Sequence, residues 1–139
     1  MTQTDNIRHI LRTCRTVAVV GLSPKPHRVS FEVASYMQSH GWRIIPVNPV
    51  AAASGAPILG ETVYATLTEA AQHEKIELVD VFRHAEDVPP VAAEAIAIGA
   101  QALWLQLGIE NATAAAQAEA AGLRVVQNRC LLIEHAAQS

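Results

Sequence analysis

Five short apolar runs without polar alternation mark the chain. Such runs are typical of strands that are covered on both faces, as in a parallel sheet. The runs lie at residues 16–20, 42–47, 77–82, 102–106 and 123–126. Segments with the apolar spacing or capping residues of helices separate them, at residues 5–15, 30–40, 88–98, 111–121 and 131–136. The spacing of Thr66 and Glu69 predicts the start of one more helix, whereas the Ser-, Gly- and Pro-containing residues 51–61 predict a loop.

Glycine joins a predicted helix to a predicted strand three times, at Gly41, Gly99 and Gly122. A glycine at the end of a helix, followed directly by a strand, is the joint of a wound α/β fold. The alternation predicts an α/β protein with one Rossmann-like, doubly wound, mainly parallel sheet of about five strands and flanking helices. We expect residues 1–139 to form a single domain, because that length fits one domain.

Composition narrows the class of protein. The chain has 139 residues, of which 50% are hydrophobic, 17% are charged and 25 are alanine, with a net charge of -3. The apolar fraction is too high for a disordered chain, and no run of Lys and Arg predicts a nucleic-acid partner. No signal sequence and no bilayer-length apolar stretch is visible, so we expect a cytoplasmic protein without a membrane partner. Cys14 and Cys130 form no disulfide or zinc pattern and are expected to be small core residues.

The ligand of such a fold is expected beyond the carboxyl ends of the strands, near the point where the strand order reverses. The loop after the first strand places Ser23, Lys25, Arg28 and Ser30 beside a helix start. Backbone N–H groups at a helix start favour phosphate, and arginine can make paired bonds to phosphate oxygens. Arg83, after the third strand, would add a third cation. The sequence therefore predicts a phosphate-rich nucleotide as ligand.

The usual dinucleotide fingerprint is incomplete. Only Gly21 of its three glycines is present, since Ser23 and Pro26 occupy the other two positions. The second strand ends at Asn48 and Pro49, without the acid that would hold a ribose. These departures disfavour NAD, and no Gly-Lys-Ser/Thr sequence supports ATP hydrolysis.

Five sequence blocks, taken together and in order, resemble the small stand-alone CoA-binding domain proteins of bacteria. The blocks are residues 20–28 (VGLSPKPHR), 45–49 (IPVNP), 79–83 (VDVFR), 103–108 (LWLQLG) and 128–130 (NRC). The family is similar in fold to the CoA-binding domain of the succinyl-CoA synthetase α subunit. The resemblance implies that coenzyme A or an acyl-CoA is the ligand. No ligase activity is carried over, because the phosphate-carrying histidine of that enzyme belongs to another domain.

The resemblance also implies which residues contact the ligand. The residues expected to contact the phosphates are in the first loop, and the residues that line the path beside the phosphates come at the end of the second strand. The residues expected beside the adenine and ribose come at the end of the third strand, and the residues that close the far side of the ligand come after the fourth. They are Gly21, Leu22, Ser23, Pro24, Lys25, Arg28 and Ser30; Val47, Asn48 and Pro49; Val81, Phe82 and Arg83; and Gln106, Gly108 and Ile109. Val29 departs from the family, in which proline is frequent at that position.

No set of nucleophile, base and orienting group is visible, so a non-catalytic binding module is the leading interpretation. Asp80, inside the third strand, is expected to accept hydrogen bonds from loop backbone or from an arginine. The alternatives are an enzyme that acts on a CoA thioester or a nucleotide-linked substrate through Cys130 or Asp80, and an NAD(H)-sensing Rossmann module. His27 is expected to be a solvated loop residue.

Overall fold

The computed structural model of the protein describes residues 2–138. The strands are β1 (Thr16–Val20), β2 (Arg43–Val47), β3 (Leu78–Val81), β4 (Ala102–Leu105) and β5 (Arg124–Val126). The helices are α1 (Gln3–Thr13), α2 (Val29–Ser39), α3 (Pro49–Ser54), α4 (Leu67–Ala71), α5 (Val88–Ala97), α6 (Ala112–Ala120) and α7 (Leu131–Gln138). A single 3₁₀ turn, Ala85–Asp87, leads into α5.

The five strands form one sheet in the order β2-β1-β3-β4-β5, and every pair is parallel. Val19 of β1 lies opposite Asp80 of β3, which in turn lies opposite Trp104 of β4. The chain runs outward from β1 to β2 and then returns to the other side of β1, so the order reverses between β1 and β3. This topology confirms the predicted doubly wound, Rossmann-like α/β fold.

Helices cover both faces of the sheet, and the two layers differ in side-chain size. Helices α1, α2 and α7 pack on one face, over a core that includes Met37, Trp42, Trp104 and Leu131. Helices α4, α5 and α6 pack on the other face, where many of the buried helix residues are alanine. Because alanine side chains are short, α5 and α6 can lie close to each other and to the strands. We call these the large-residue face and the alanine face.

The predicted loop at residues 51–61 was wrong in its first part, because α3 occupies Pro49–Ser54. The side-chain oxygen of Asn48 accepts hydrogen bonds from the backbone N–H groups of Val50 and Ala51. Proline is tolerated at the first helical position, and the alanines that follow have the highest helix propensity. The cap and the alanines therefore outweigh the turn-forming residues further along.

Two other helix starts follow their capping residues. Helix α1 begins two residues before its predicted start, because Thr2 and Asp5 form a reciprocal capping box. The hydroxyl of Thr66 accepts a hydrogen bond from the N–H of Glu69, which confirms the predicted start of α4. Within residues 2–138, no helix has both the length and the apolar character needed to cross a membrane.

Candidate functional site

Gly21 fixes where the first loop leaves the sheet. Its φ of 90° lies in the left-handed region, and a Cβ at this position would come within 2.3 Å of the carbonyl oxygen of Phe82. The N–H of Gly21 donates to the carbonyl of Val47, at 2.8 Å, and the N–H of Phe82 donates to the carbonyl of Val20, at 2.8 Å. Only glycine fits this close approach, so the ends of β1, β2 and β3 meet at one point.

The first loop, residues 21–28, folds back on the start of α2. The N–H of Ser23 donates to the hydroxyl oxygen of Ser30, at 3.0 Å, and the N–H of Lys25 donates to that of Ser23, at 3.1 Å. Leu22 is completely buried and anchors the loop, whereas Pro24, Lys25 and Arg28 are exposed. Arg28 is the N-cap residue of α2 and gives no side-chain cap. The loop thus presents two cations beside a helix N-terminus, the arrangement that favours phosphate.

Asn48 has a structural role that the sequence did not reveal. Besides capping α3, its side-chain amide donates to the carbonyl of Leu22, at 2.9 Å. Asn48 therefore fastens the first loop to the end of β2. Val47 is buried and Pro49 is exposed as the first residue of α3. Of the three residues predicted after β2, only Pro49 is exposed, and the side chain of Asn48 is already engaged in hydrogen bonds.

A cleft of about 420 Å³ lies between the carboxyl ends of β3 and β4. It brings together four residues that the sequence assigned to the ligand, Phe82, Arg83, Gly108 and Ile109, whereas Val81 is buried beneath them. The sequence analysis missed three other residues that line this cleft: His84, Ala85 and Asp87. They lie within four residues after Arg83, so their position after a strand end was the signal that could have found them.

Gln106 is oriented by the last helix. It is only 3% exposed, and its side-chain oxygen accepts a hydrogen bond from the N–H of Leu131, at 3.1 Å. The N–H of Gly108 donates to the side-chain oxygen of Asn128, at 2.7 Å. The end of β4 is therefore held by the segment that leads from β5 into α7. This contact occupies the side-chain oxygen of Gln106, whereas Gly108 stays exposed at the cleft.

The expectation for Asp80 was wrong. Its side chain is completely buried, and neither carboxyl oxygen has a hydrogen-bond partner among the described residues. Its neighbours across the sheet are Val19 and Trp104, and no N–H group or arginine of residues 2–138 donates to it. Burial raises the pKa of Asp80 well above its ordinary value, because a charge in apolar surroundings loses its hydration. We infer that Asp80 is a neutral acid in the folded protein.

The cations at the candidate site do not belong to the ion pairs of residues 2–138. Those pairs join Arg43 to Glu61, at 3.0 Å, and to Glu74, at 2.6 Å. Arg43 begins β2, so this cluster lies at the amino edge of the sheet, opposite the candidate site. The charges of Lys25 and Arg28 are consequently available to an anion.

No catalytic arrangement is apparent around the cysteines. Both Cys14 and Cys130 are free and buried, and no described hydrogen bond joins Cys130 to a base. Within residues 2–138, no group of three or more His, Cys, Asp or Glu side chains is placed to hold a metal ion. The carboxyl edge combines exposed cations with an open cleft, an arrangement that could accommodate a small anionic molecule.

Comparison with known proteins gives relatives of the same length and fold. The chain is 36% identical over 130 residues to the uncharacterized protein YneT of Bacillus subtilis, covering 94% of this chain and 92% of YneT. The structure of a hypothetical protein from Pyrococcus horikoshii superposes with a TM-score of 0.88 at 36% identity, covering 99% of this chain and 92% of that one. A Thermus thermophilus protein, cell-free ID.343, matches over the whole of both chains with a TM-score of 0.90 at 31% identity.

Residues 15–136 match the model of a protein family described as a CoA-binding domain. The match contains all five strands and all the residues assigned to the candidate site. It confirms the resemblance found in the sequence, and this chain belongs to the CoA-binding domain family.

Proposed function

We propose that this protein binds coenzyme A or an acyl-CoA at the carboxyl edge of its sheet, as a binding module rather than an enzyme. The phosphates would lie on the first loop, between Ser23 and Ser30. The adenine and ribose would lie in the cleft beside Phe82 and Arg83. Membership of the family supports the class of ligand. The observation that carries the choice of site is the pair of exposed cations on a loop closed by Gly21 at the reversal of strand order.

The shape of the edge supports a ligand that extends across several loops. The first loop and the cleft are joined directly, because Gly21 packs against the backbone of Phe82. A molecule with phosphates at Lys25 and a base at Phe82 would cross the topological switch point between β1 and β3. Open parallel sheets bind nucleotides at this point. Phe82 is partly exposed, and its ring offers a stacking surface for adenine.

NAD(H) is the main competing ligand, and the end of β2 weighs against it. A ribose clamp needs an acid there, whereas this chain has Asn48, which already donates to Leu22 and accepts from Val50 and Ala51. The close-packed turn supplies one glycine, Gly21, rather than three. Both differences favour CoA over a dinucleotide.

The test is calorimetric titration with CoA, dephospho-CoA, pantetheine and NADH. Replacing Lys25 and Arg28 by alanine together should weaken CoA about ten- to hundredfold. A hydrogen bond to a charged group contributes about 1.5–3 kcal/mol, and exposure to solvent lowers that value. Pantetheine, which lacks the nucleotide phosphates, should lose little. The matched control is the double variant Lys75→Ala with Arg12→Ala, which removes one exposed lysine and one exposed arginine away from the carboxyl edge.

Three results would count against the proposal. Absence of CoA binding by the wild-type protein at millimolar concentration would refute the ligand. Equal weakening in the control double variant would refute the site. Tighter binding of NADH than of CoA would favour the NAD(H)-sensing alternative.

A further inference from the structure

Two of the contacts that hold helix α7 on the rest of the protein bear on the candidate site and on pH. At its start, Leu131 is completely buried and donates its N–H to the side chain of Gln106. One turn later, Nδ1 of His135 and the hydroxyl of Tyr36 on α2 share a hydrogen bond of 2.9 Å. The contact at Leu131 contains no titratable group, whereas the contact at His135 depends on the protonation of a histidine.

His135 sits in a group of aromatic rings. Its ring lies edge-on to Tyr36, at 5.4 Å between centroids, and to Trp42, at 6.4 Å. The ring of His40 is 5.1 Å away and lies against Tyr36 at 4.1 Å. The guanidinium of Arg15 lies 5.6 Å over the ring of Trp42. We call His135, Tyr36, His40, Trp42 and Arg15 the histidine cluster.

The ionisable groups around His135 are mainly basic. They include His40, the C-cap residue of α2, and Arg15, in the segment between α1 and β1. Arg8 and Arg12 of α1 line a recess with Gln138, at the end of α7. The carboxylate beside His135 is Glu134, the preceding residue on α7, which is partly exposed. A proton on His135 would therefore add a positive charge to a cationic neighbourhood.

The segment before α7 supports the candidate ligand edge. The carbonyl of Arg129 accepts a hydrogen bond from the indole N–H of Trp104, at 2.8 Å. Asn128 accepts from the N–H of Gly108, which lines the cleft. Leu131 then holds Gln106. The N–H groups of Asn128 and Arg129 also donate to the carbonyls of Ile109 and Leu105. Five hydrogen bonds thus join the end of β4 and the loop after it to residues 128–131.

We propose that α7 is an acid-released latch: protonation of the histidine cluster at His135 loosens α7, and with it the end of β4 that borders the ligand cleft. Release of the helix rests on the partial burial of His135 among basic groups and does not require a ligand. The effect on ligand affinity rests in addition on the proposed function. The latch makes CoA binding weaker in mildly acidic solution than at neutral pH.

The titration of His135 has the sign that this latch requires. Burial, His40 and Arg15 lower the pKa of His135 from its ordinary value of 6.5. A released α7 would expose His135 to water and restore the ordinary pKa, so the released state takes up a proton more readily. Release is consequently favoured as the pH falls below 6.5, by up to about tenfold per pH unit until the docked histidine is also protonated.

The test is amide hydrogen exchange of the ligand-free protein at pH 7.5 and pH 5.5, corrected for the intrinsic rate at each pH. The opening constant of α7 should rise at the lower pH in the wild-type protein, by at most about tenfold. In His135→Gln it should stay nearly unchanged. Glutamine can still hydrogen bond to Tyr36 but carries no proton-dependent charge. The matched control is His73→Gln, which removes an exposed histidine that stacks on Tyr64 and should respond as the wild type does.

CoA titrations at the two pH values separate this inference from the proposed function. The CoA phosphates also titrate in this range, so the comparison is between variants: the loss of affinity at pH 5.5 should be larger in the wild type than in His135→Gln, and it can be no larger than the rise in the opening constant of α7. His40→Gln serves as a second variant if His135→Gln folds poorly, and it should reduce the response of α7. An equal rise in exchange in the wild type and in these variants overturns the latch. If CoA does not bind at pH 7.5, the proposed function fails while the exchange result still decides the latch.

Discussion

The large-residue face and the alanine face bury different chemistry. All four buried polar residues of the described chain belong to the large-residue side: Asn6, Ser30, Asp80 and Gln106. Three of them hold something in place, since Asn6 donates to the carbonyl of Val125, Ser30 accepts from the first loop and Gln106 accepts from α7. The buried side chains that α5 and α6 contribute to the alanine face are almost all alanine.

This difference indicates that the two layers have different roles in the structure. The buried contacts of α5 and α6 with the sheet are apolar, so that layer serves mainly as scaffold. The large-residue layer uses directional hydrogen bonds to position the first loop and the end of β4, which border the candidate site. Binding of a ligand or of a proton should therefore change hydrogen bonds mainly on the large-residue face.

The largest expected effect comes from Trp104→Ala. Trp104 is completely buried, and its indole N–H holds the carbonyl of Arg129. Its removal should destabilise the protein by about 3–5 kcal/mol. Leu103→Ala, the neighbouring residue on the alanine face, should cost about 2–5 kcal/mol. Urea denaturation measures both. Exchange of α7 amides should accelerate more in Trp104→Ala than in Leu103→Ala, and equal acceleration would contradict the division between the faces.

Asp80→Asn should produce the next-largest effect on the free energy of unfolding, and this effect depends on pH. The pKa of Asp80 is raised by burial in the folded state, whereas the unfolded carboxyl ionises near pH 3.9. Unfolding thus releases a proton above that pH, and the wild type loses stability by up to about 1.4 kcal/mol per pH unit until the folded pKa is reached. Asparagine cannot ionise, so the free energy of unfolding of the variant, relative to that of the wild type, should increase as the pH rises from 4 to 8. Denaturation curves with parallel pH dependence would show that Asp80 is charged when folded.

The smallest effect compares two helix caps, one at the candidate site and one on the alanine face. Asn48 caps α3 and holds Leu22, whereas Asn111 caps α6 and donates to the carbonyl of Ala85. Replacing either by alanine should cost about 0.5–2 kcal/mol. Only Asn48→Ala should also weaken CoA, because it frees the first loop. Calorimetry that finds the same CoA affinity in both variants would separate Asn48 from the site.

The sheet could be predicted from the sequence because its signals are local. Short, mainly apolar runs marked the five strands, and Gly41, Gly99 and Gly122 marked three of the joints. Helix α3 was missed because Ser54, Gly55 and Pro57 dominate the pattern there, whereas the cap from Asn48 precedes it. The helix propensity of the alanines and the cap at Asn48 make the first half of residues 51–61 helical.

The candidate site was predictable in its location but not in its contacts. The carboxyl edge follows from topology, and Phe82, Arg83, Gly108 and Ile109 do line one cleft. The hydrogen bond from Asn48 to Leu22, the one from Leu131 to Gln106, and the isolation of Asp80 depend on residues more than twenty positions away in the sequence. No short-range pattern encodes such partners. The histidine cluster was hidden for the same reason, because Tyr36 and His135 are 99 residues apart.

The most direct test is to titrate the isotope-labelled protein with CoA and to follow the backbone amide resonances. Shifts should concentrate on residues 21–30, on Phe82 and Arg83, and on Gly108 and Ile109, with weaker changes at the start of α7. The amino edge around Arg43 should remain unaffected. Shifts centred on the amino edge, or on the helices of the alanine face, would contradict the account, as would no shift at all at millimolar CoA.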